Sequence, residues 1–163
     1  LENELVNPLC AELEGFINEL MEDDLTERQK RRCVHVKELV SDIERVSDLT
    51  EDLVQMAKEE GNLRELLDER SISRLDHLFQ QTHRIYKLAL QAVRDNNREM
   101  AQLACRLEDE MDRMYWKARK KETKRLKAGK ISPKADSIYL ELLRNLERIS
   151  DHADSLGISV IRD

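Results

Sequence analysis

Apolar residues return every three or four positions along this chain, the period of one face of a helix, and no alternating stretch reads as a strand. Five long segments carry the period. The first covers roughly Leu1 to Met21, with Pro8 as a kink or first-turn residue. After a turn at Asp23–Asp24, Thr26 is placed to cap a second helix that runs to about Glu60 and stops at Gly61. Residues 62–70 read as a linker with a helical turn at most. Ser71 or Ser73 is expected to cap a third helix ending near Asp95–Asn97, and a fourth runs from about Arg98 to Lys127. Ser132 and Pro133, an N-cap followed by a proline at the first helical position, open a fifth that reaches almost to residue 163. The fold class expected is all-α: an antiparallel bundle of about five long helices.

One segment is written twice. A shift of 103 residues lays Val40–Leu53 on Leu143–Leu156, with Glu44, Arg45, Ser47, Asp48 and Leu53 on identical partners. This reads as duplication of a helical unit. The division is then 1–61 for a first unit, 62–70 for the linker and 71–163 for a second unit of three helices, together one compact domain. Residues four apart stack on one helix face, so Glu44 lies above Asp48 and Glu147 above Asp151. Glu51 and Asp154 extend these faces. The acids are expected to point away from the apolar stripe of Ile43, Val46, Leu49 and Leu53, toward the outside or a shallow groove.

A third acidic pair, Glu108 and Asp112, changes the picture. Asp112 stands 17 residues before the turn at Gly129 and Glu147 stands 18 after it. Helices joined by a tight turn run antiparallel, which brings Glu108, Asp112, Glu147 and Asp151 together. Four carboxylates with few nitrogens or sulfurs nearby suit a hard cation: Mg²⁺, Mn²⁺, Ca²⁺ or iron. For Glu44 and Asp48 the same spacing offers Asn3 and Asn7, in preference to Glu14 and Asn18, which match by local sequence only. Two carboxylates with amides predict weaker binding than four carboxylates. The competing reading is a structural helical adaptor whose acidic faces are ion-pair surfaces, since Arg45 and Arg148 lie three residues from Asp48 and Asp151.

Composition narrows the classes further. With 38% charged residues, 4% aromatics, four Gly and two Pro, the chain suits long amphipathic helices. A net charge of −6 argues against nucleic acid as a partner. The basic run Lys117–Lys130 reads as a solvated helix end, or as a contact with anionic lipid headgroups or an acidic partner. No apolar run is long enough to span a bilayer. Cys10, Cys33 and Cys105 lack CxxC spacing and read as free thiols of a reducing compartment. None of His35, His77, His83 and His152 has an acid three residues before it, so the Glu-x-x-His signature of di-iron bundles is missing. His152 stands out by adjoining Asp151. Trp116, Tyr115 and the methionines are expected to pack between helices. With no Gly-rich phosphate loop and no nucleophile–base arrangement, the chain reads as non-enzymatic.

The helices "IERVSD" (Ile43–Asp48) and "LERISDHAD" (Leu146–Asp154) resemble the signature of the PhoU family. The stretch from "LEDEMDRMY" onward is similar to the PhoU-like domain that follows the membrane part of bacterial Na/Pi-cotransporter-family proteins. The resemblance implies two repeated three-helix bundles, hard-metal clusters held by acidic pairs, and control of phosphate uptake by protein contact. Carried over, the metal ligands are Glu44, Asp48, Glu108, Asp112, Glu147 and Asp151. It also implies a cytoplasmic location at the inner face of the membrane and a transporter membrane domain as partner, in the same chain or a separate one. Ser47 and Ser150 stand where the family usually has Gly, a change a helix tolerates. The first unit has two long helices where the family has three, which implies a helix preceding Leu1. The second helix is then expected to show an uncovered seam of Val36, Leu39, Ile43, Val46 and Leu53, buried by homodimerisation through the first two helices or by the third helix swinging across.

Overall fold

The computed structural model describes residues 3–61 and 63–162, so Leu1 and Glu2 of the expected first helix lie outside the described residues. The described residues form six helices and no strand: α1 (Asn3–Glu22), α2 (Glu27–Glu59), α3 (Leu63–Leu66), α4 (Glu69–Asp95), α5 (Arg98–Lys127) and α6 (Pro133–Arg162). The single turn α3 sits inside the expected linker.

The ends follow from local chemistry. Thr26 opens α2 with a capping box: its hydroxyl accepts from the Gln29 N–H, and the Gln29 side-chain oxygen accepts from the Thr26 N–H at 2.9 Å. Gly61, at φ 67°, takes the left-handed position that ends α2. Asn96 does the same after α4 at φ 45°. Asn97 then caps α5, and Ser132 caps α6 by accepting from the Ala135 N–H at 3.1 Å. One expected cap is corrected. Asp68, not Ser71 or Ser73, caps α4, accepting from the Ser71 N–H at 2.9 Å. A carboxylate there also favours the positive end of the helix dipole.

Helices α4, α5 and α6 pack on one another around Ile85, Ala89, Met111, Tyr139, Leu143 and Leu156, all essentially without solvent contact. Helix α2 lies on α6 through Val46, Leu49 and Ile149, and α1 lies on α2. The expected seam is therefore corrected. Val46 is buried and Val36, Leu39, Ile43 and Leu53 are half-buried, while α4 stays with its own bundle. Among the described residues the large apolar side chains that are exposed are instead Leu5, Leu9, Leu13 and Phe16 on α1, together with Val34, Val54, Phe79 and Trp116. Trp116 packs in no core: it is 59% exposed, with the Tyr115 ring edge-on at 5.3 Å and the Arg119 guanidinium over its face.

The basic run is also more structured than a solvated helix end. Its lysines on α5 are exposed, but Glu122 within it is 1% exposed. That carboxylate accepts from the Ser71 hydroxyl at 2.9 Å, from Arg74 at 2.6 Å and from Arg125 at 3.1 Å. Arg125 also binds Asp68. A buried carboxylate is tolerable only when paired and hydrogen-bonded in this way. The hub ties the start of α4 to the end of α5.

Candidate metal centre

Small residues set how closely α5 and α6 approach. Ala101 and Ala104 on α5 and Ala153 on α6 have no solvent contact. At Gly157 a Cβ would stand 3.1 Å from Cys105 Sγ and 3.3 Å from the Ala101 carbonyl oxygen. Two antiparallel backbones held this closely bring their acids within reach of one another.

Glu108 and Asp112 project from α5, four residues apart; Glu147, Asp151 and Asp154 project from α6. Carboxylate oxygens of Glu108, Asp112 and Asp151 all lie within 4.8 Å of one another. Glu147 lies outside that trio, one helical turn before Asp151, close enough to feel the charges of Asp151 and Asp112. The face is not wholly outward, as the apolar stripe had suggested: Glu108 is buried, Asp112 and Glu147 are half-buried, and Asp151 is exposed. Burial pushes the Glu108 carboxyl up to about 7, helped by the charges of Asp112, Asp154, Asp151 and Asp109. Asp151 and Glu147 are raised as well, again first by burial and then by neighbouring carboxylates.

Asp154 was read only as extending the face, yet it sits among these groups. It raises Glu108 and acts on the half-buried Cys105 thiol, which burial and that carboxylate push up to about 12. The sequence carried a signal for the buried acids. The buried positions of α5 are Ala101, Ala104, Glu108, Met111, Tyr115, Ala118 and Glu122, an unbroken period of three and four. Glu108 and Glu122 occupy places where that period demands an apolar side chain.

The donor set is oxygen-only and anionic, and among the described residues no Lys, Arg or His closes an ion pair within 4.0 Å of Glu108, Asp112 or Asp151. Such a set fits a hard cation, which would neutralise charges that otherwise repel across a few ångströms. Glu108, Asp112 and Asp151 would supply the shared ligand atoms, with Glu147 and Asp154 at the margin.

The first pair differs. Glu44 and Asp48 are half-buried on α2, and the Asn7 amide donates to Asp48 Oδ1 at 3.2 Å, while Asn7 Oδ1 is buried without a hydrogen-bond partner. Spacing thus chose the correct amide. Asn18 binds Lys37 instead, at 2.8 Å. The side chain of Asn3 lies outside the described residues. His152, flagged beside Asp151, turns its Nδ1 to Asp42 Oδ1 at 2.9 Å and links α6 to α2.

A bundle of antiparallel helices, in which an acidic pair on α5 meets carboxylates of α6, defines an all-α scaffold with a carboxylate centre. The PhoU domain family matches residues 75–159, and the chain belongs to that family. A phosphate-specific transport system accessory protein, PhoU homolog 1 of Thermotoga maritima, is 28% identical over 137 residues. That match covers 82% of this chain and 57% of the relative, so the chain spans little more than half the relative's length. The crystal structure of PhoU from Pseudomonas aeruginosa superposes with a TM-score of 0.73 at 20% identity, over 98% of this chain and 79% of the other. That likeness is one of fold.

Proposed function

We propose that this chain is a metal-binding, non-enzymatic regulatory module that controls phosphate uptake by contact with a transporter. The observation that carries the reading is the convergence of Glu108, Asp112 and Asp151 within 4.8 Å, none of them in an ion pair with a Lys, Arg or His among the described residues. A cation bound there would join α5 to α6 and fix the acidic face that a partner meets. Family membership supplies the biological setting, and the Thermotoga relative is named as an accessory protein of a phosphate transport system. The expected site of action is the cytoplasmic face of the membrane, beside or fused to a transporter of the Na/Pi-cotransporter type. No helix among the described residues is long and apolar enough to cross a membrane. The exposed lysines of Lys117–Lys130 are suited to meet anionic lipid there, and the chain is read as a homodimer.

Metal analysis of protein purified without chelator tests the centre. Bound Mg, Mn, Ca or iron should be present and should fall sharply in an Asp112→Asn, Asp151→Asn double variant. Metal content unchanged by the substitutions would refute the assignment, and wild-type protein free of all four metals, even after dialysis against each, would favour acidic faces that serve only as a protein-contact surface.

A further inference from the structure

Helices α2 and α4 both lie on α6 without closing on each other, and a long trough runs between them. Two cavities of about 490 and 530 Å³ form it, joined through the shared residues Thr50, Leu53, Phe79 and Leu146. Phe79 and Val54 on its walls are 49% and 48% exposed, although the lining is mostly apolar. One half is bordered by His83, Lys87 and Arg94, the last bound to Asp95, and its lining includes no carboxylate. On α4 the lining extends from Ile72 to Arg94. At 1.5 Å per residue that wall is about 33 Å long, enough for a helix of about twenty residues.

The protein carries one helix that matches this trough. Leu5, Leu9, Leu13 and Phe16 form a single stripe along α1 at spacings of four, four and three, each between 42% and 66% exposed. The helix has 20 residues, contains five glutamates and lacks any Lys or Arg. Its uncovered stripe is therefore apolar with an acidic border, and the trough is apolar with a basic border on one half. An apolar stripe of this size on a monomer marks an interaction surface. Its own copy cannot turn it into the trough while Cys10 and Ile17 of the same helix are buried against α2.

We propose that α1 of a second copy of this chain lies in the α2/α4 trough, reciprocally, forming a two-fold dimer in which each copy covers the other. This rests on the homodimer read above and specifies its surfaces. Amphipathic helices recognise such grooves through anchors at this spacing, and opposite border charges set orientation.

Sedimentation velocity on the full 163-residue chain, at micromolar concentration and low salt, tests it. Wild type should sediment as a dimer that weakens as NaCl rises. Leu9→Glu, on the stripe, and Phe79→Glu, on the trough wall, should each give a folded monomer, with folding confirmed by circular dichroism. Both positions are exposed, so neither substitution disturbs the core. An equimolar mixture of the two variants should regain dimer, because one α1 and one trough remain intact in the mixed pair. A dimer indifferent to both substitutions would overturn these surfaces while leaving self-association standing. Monomeric variants that fail to complement would equally overturn the trough as the partner of α1. A wild-type monomer would overturn the dimer itself and leave the trough to a helix from outside these residues.

Discussion

Glu108 concentrates the physics of the centre in one side chain. An unfolded glutamate ionises near 4.5, whereas burial and its carboxylate neighbours hold this one at about 7. Between those values the folded state keeps a proton that the unfolded state has lost, so stability falls as pH rises through the window. Below it both states are protonated and the penalty vanishes; above it the penalty is complete. The slope from one such group is up to about 1.4 kcal/mol per pH unit. Glu108→Gln keeps the shape and removes the charge. In chelator, this variant should melt above wild type at pH 8, by about 2–4 °C for each kcal/mol recovered, and match it near pH 4.5. Thermal melts across that range check it, and a wild-type slope retained in the variant would show that Glu108 is not the group responsible. The residue pairings were legible where spacing fixed them, as with Asn7 and Asp48. They were illegible where they depended on distant chain: nothing near Glu122 announces Ser71, 51 residues away, as its partner.

Element boundaries were readable because their signals are local. Gly61, Asn96, Gly129 and the Ser132–Pro133 pair each do what their backbone chemistry requires. The cap of α4 was missed because Asp68, Ser71 and Ser73 are all competent caps, and the choice of Asp68 is tied to Arg125 on α5. How close two helices come is a different matter, decided by which small residues face each other. Gly157 is one such point between α5 and α6, one turn past Asp154. Gly157→Val should push α6 from α5 at Cys105 and Ala101, a strain of about 1–3 kcal/mol seen as a lower melting temperature. The same displacement should weaken metal binding although no ligand has changed. Calorimetric titration of the variant with Mn²⁺ checks this, and full wild-type affinity in a destabilised variant would show that helix spacing does not control the centre.

At the scale of the whole molecule, two helices that share a motif carry unequal chemistry. Helices α2 and α6 share Glu-Arg-x-Ser-Asp and lie against each other, yet their partner helices differ. Helix α5 brings Glu108 and Asp112 to Asp151, while α1 brings the Asn7 amide to Asp48. Where α5 adds negative charge, Asn7 donates a hydrogen bond that already satisfies part of Asp48. A hard cation gains most from charged oxygens it can neutralise, so the two places should differ in affinity rather than act as twins. Titrating metal-free protein with Mn²⁺ should show a tight event at the α5/α6 centre and a weaker one at α1/α2. The Asp112→Asn, Asp151→Asn pair should remove the first, and Asp48→Asn only the second. The tight event should also stabilise the fold, by about 2.7 kcal/mol at a hundredfold excess of free metal over its dissociation constant. That gain should shrink as pH drops below 7, because Glu108 must release its proton for the metal to bind. Two events of equal affinity, or a tight event abolished by Asp48→Asn, would show that the amide-for-carboxylate exchange does not set the order of binding.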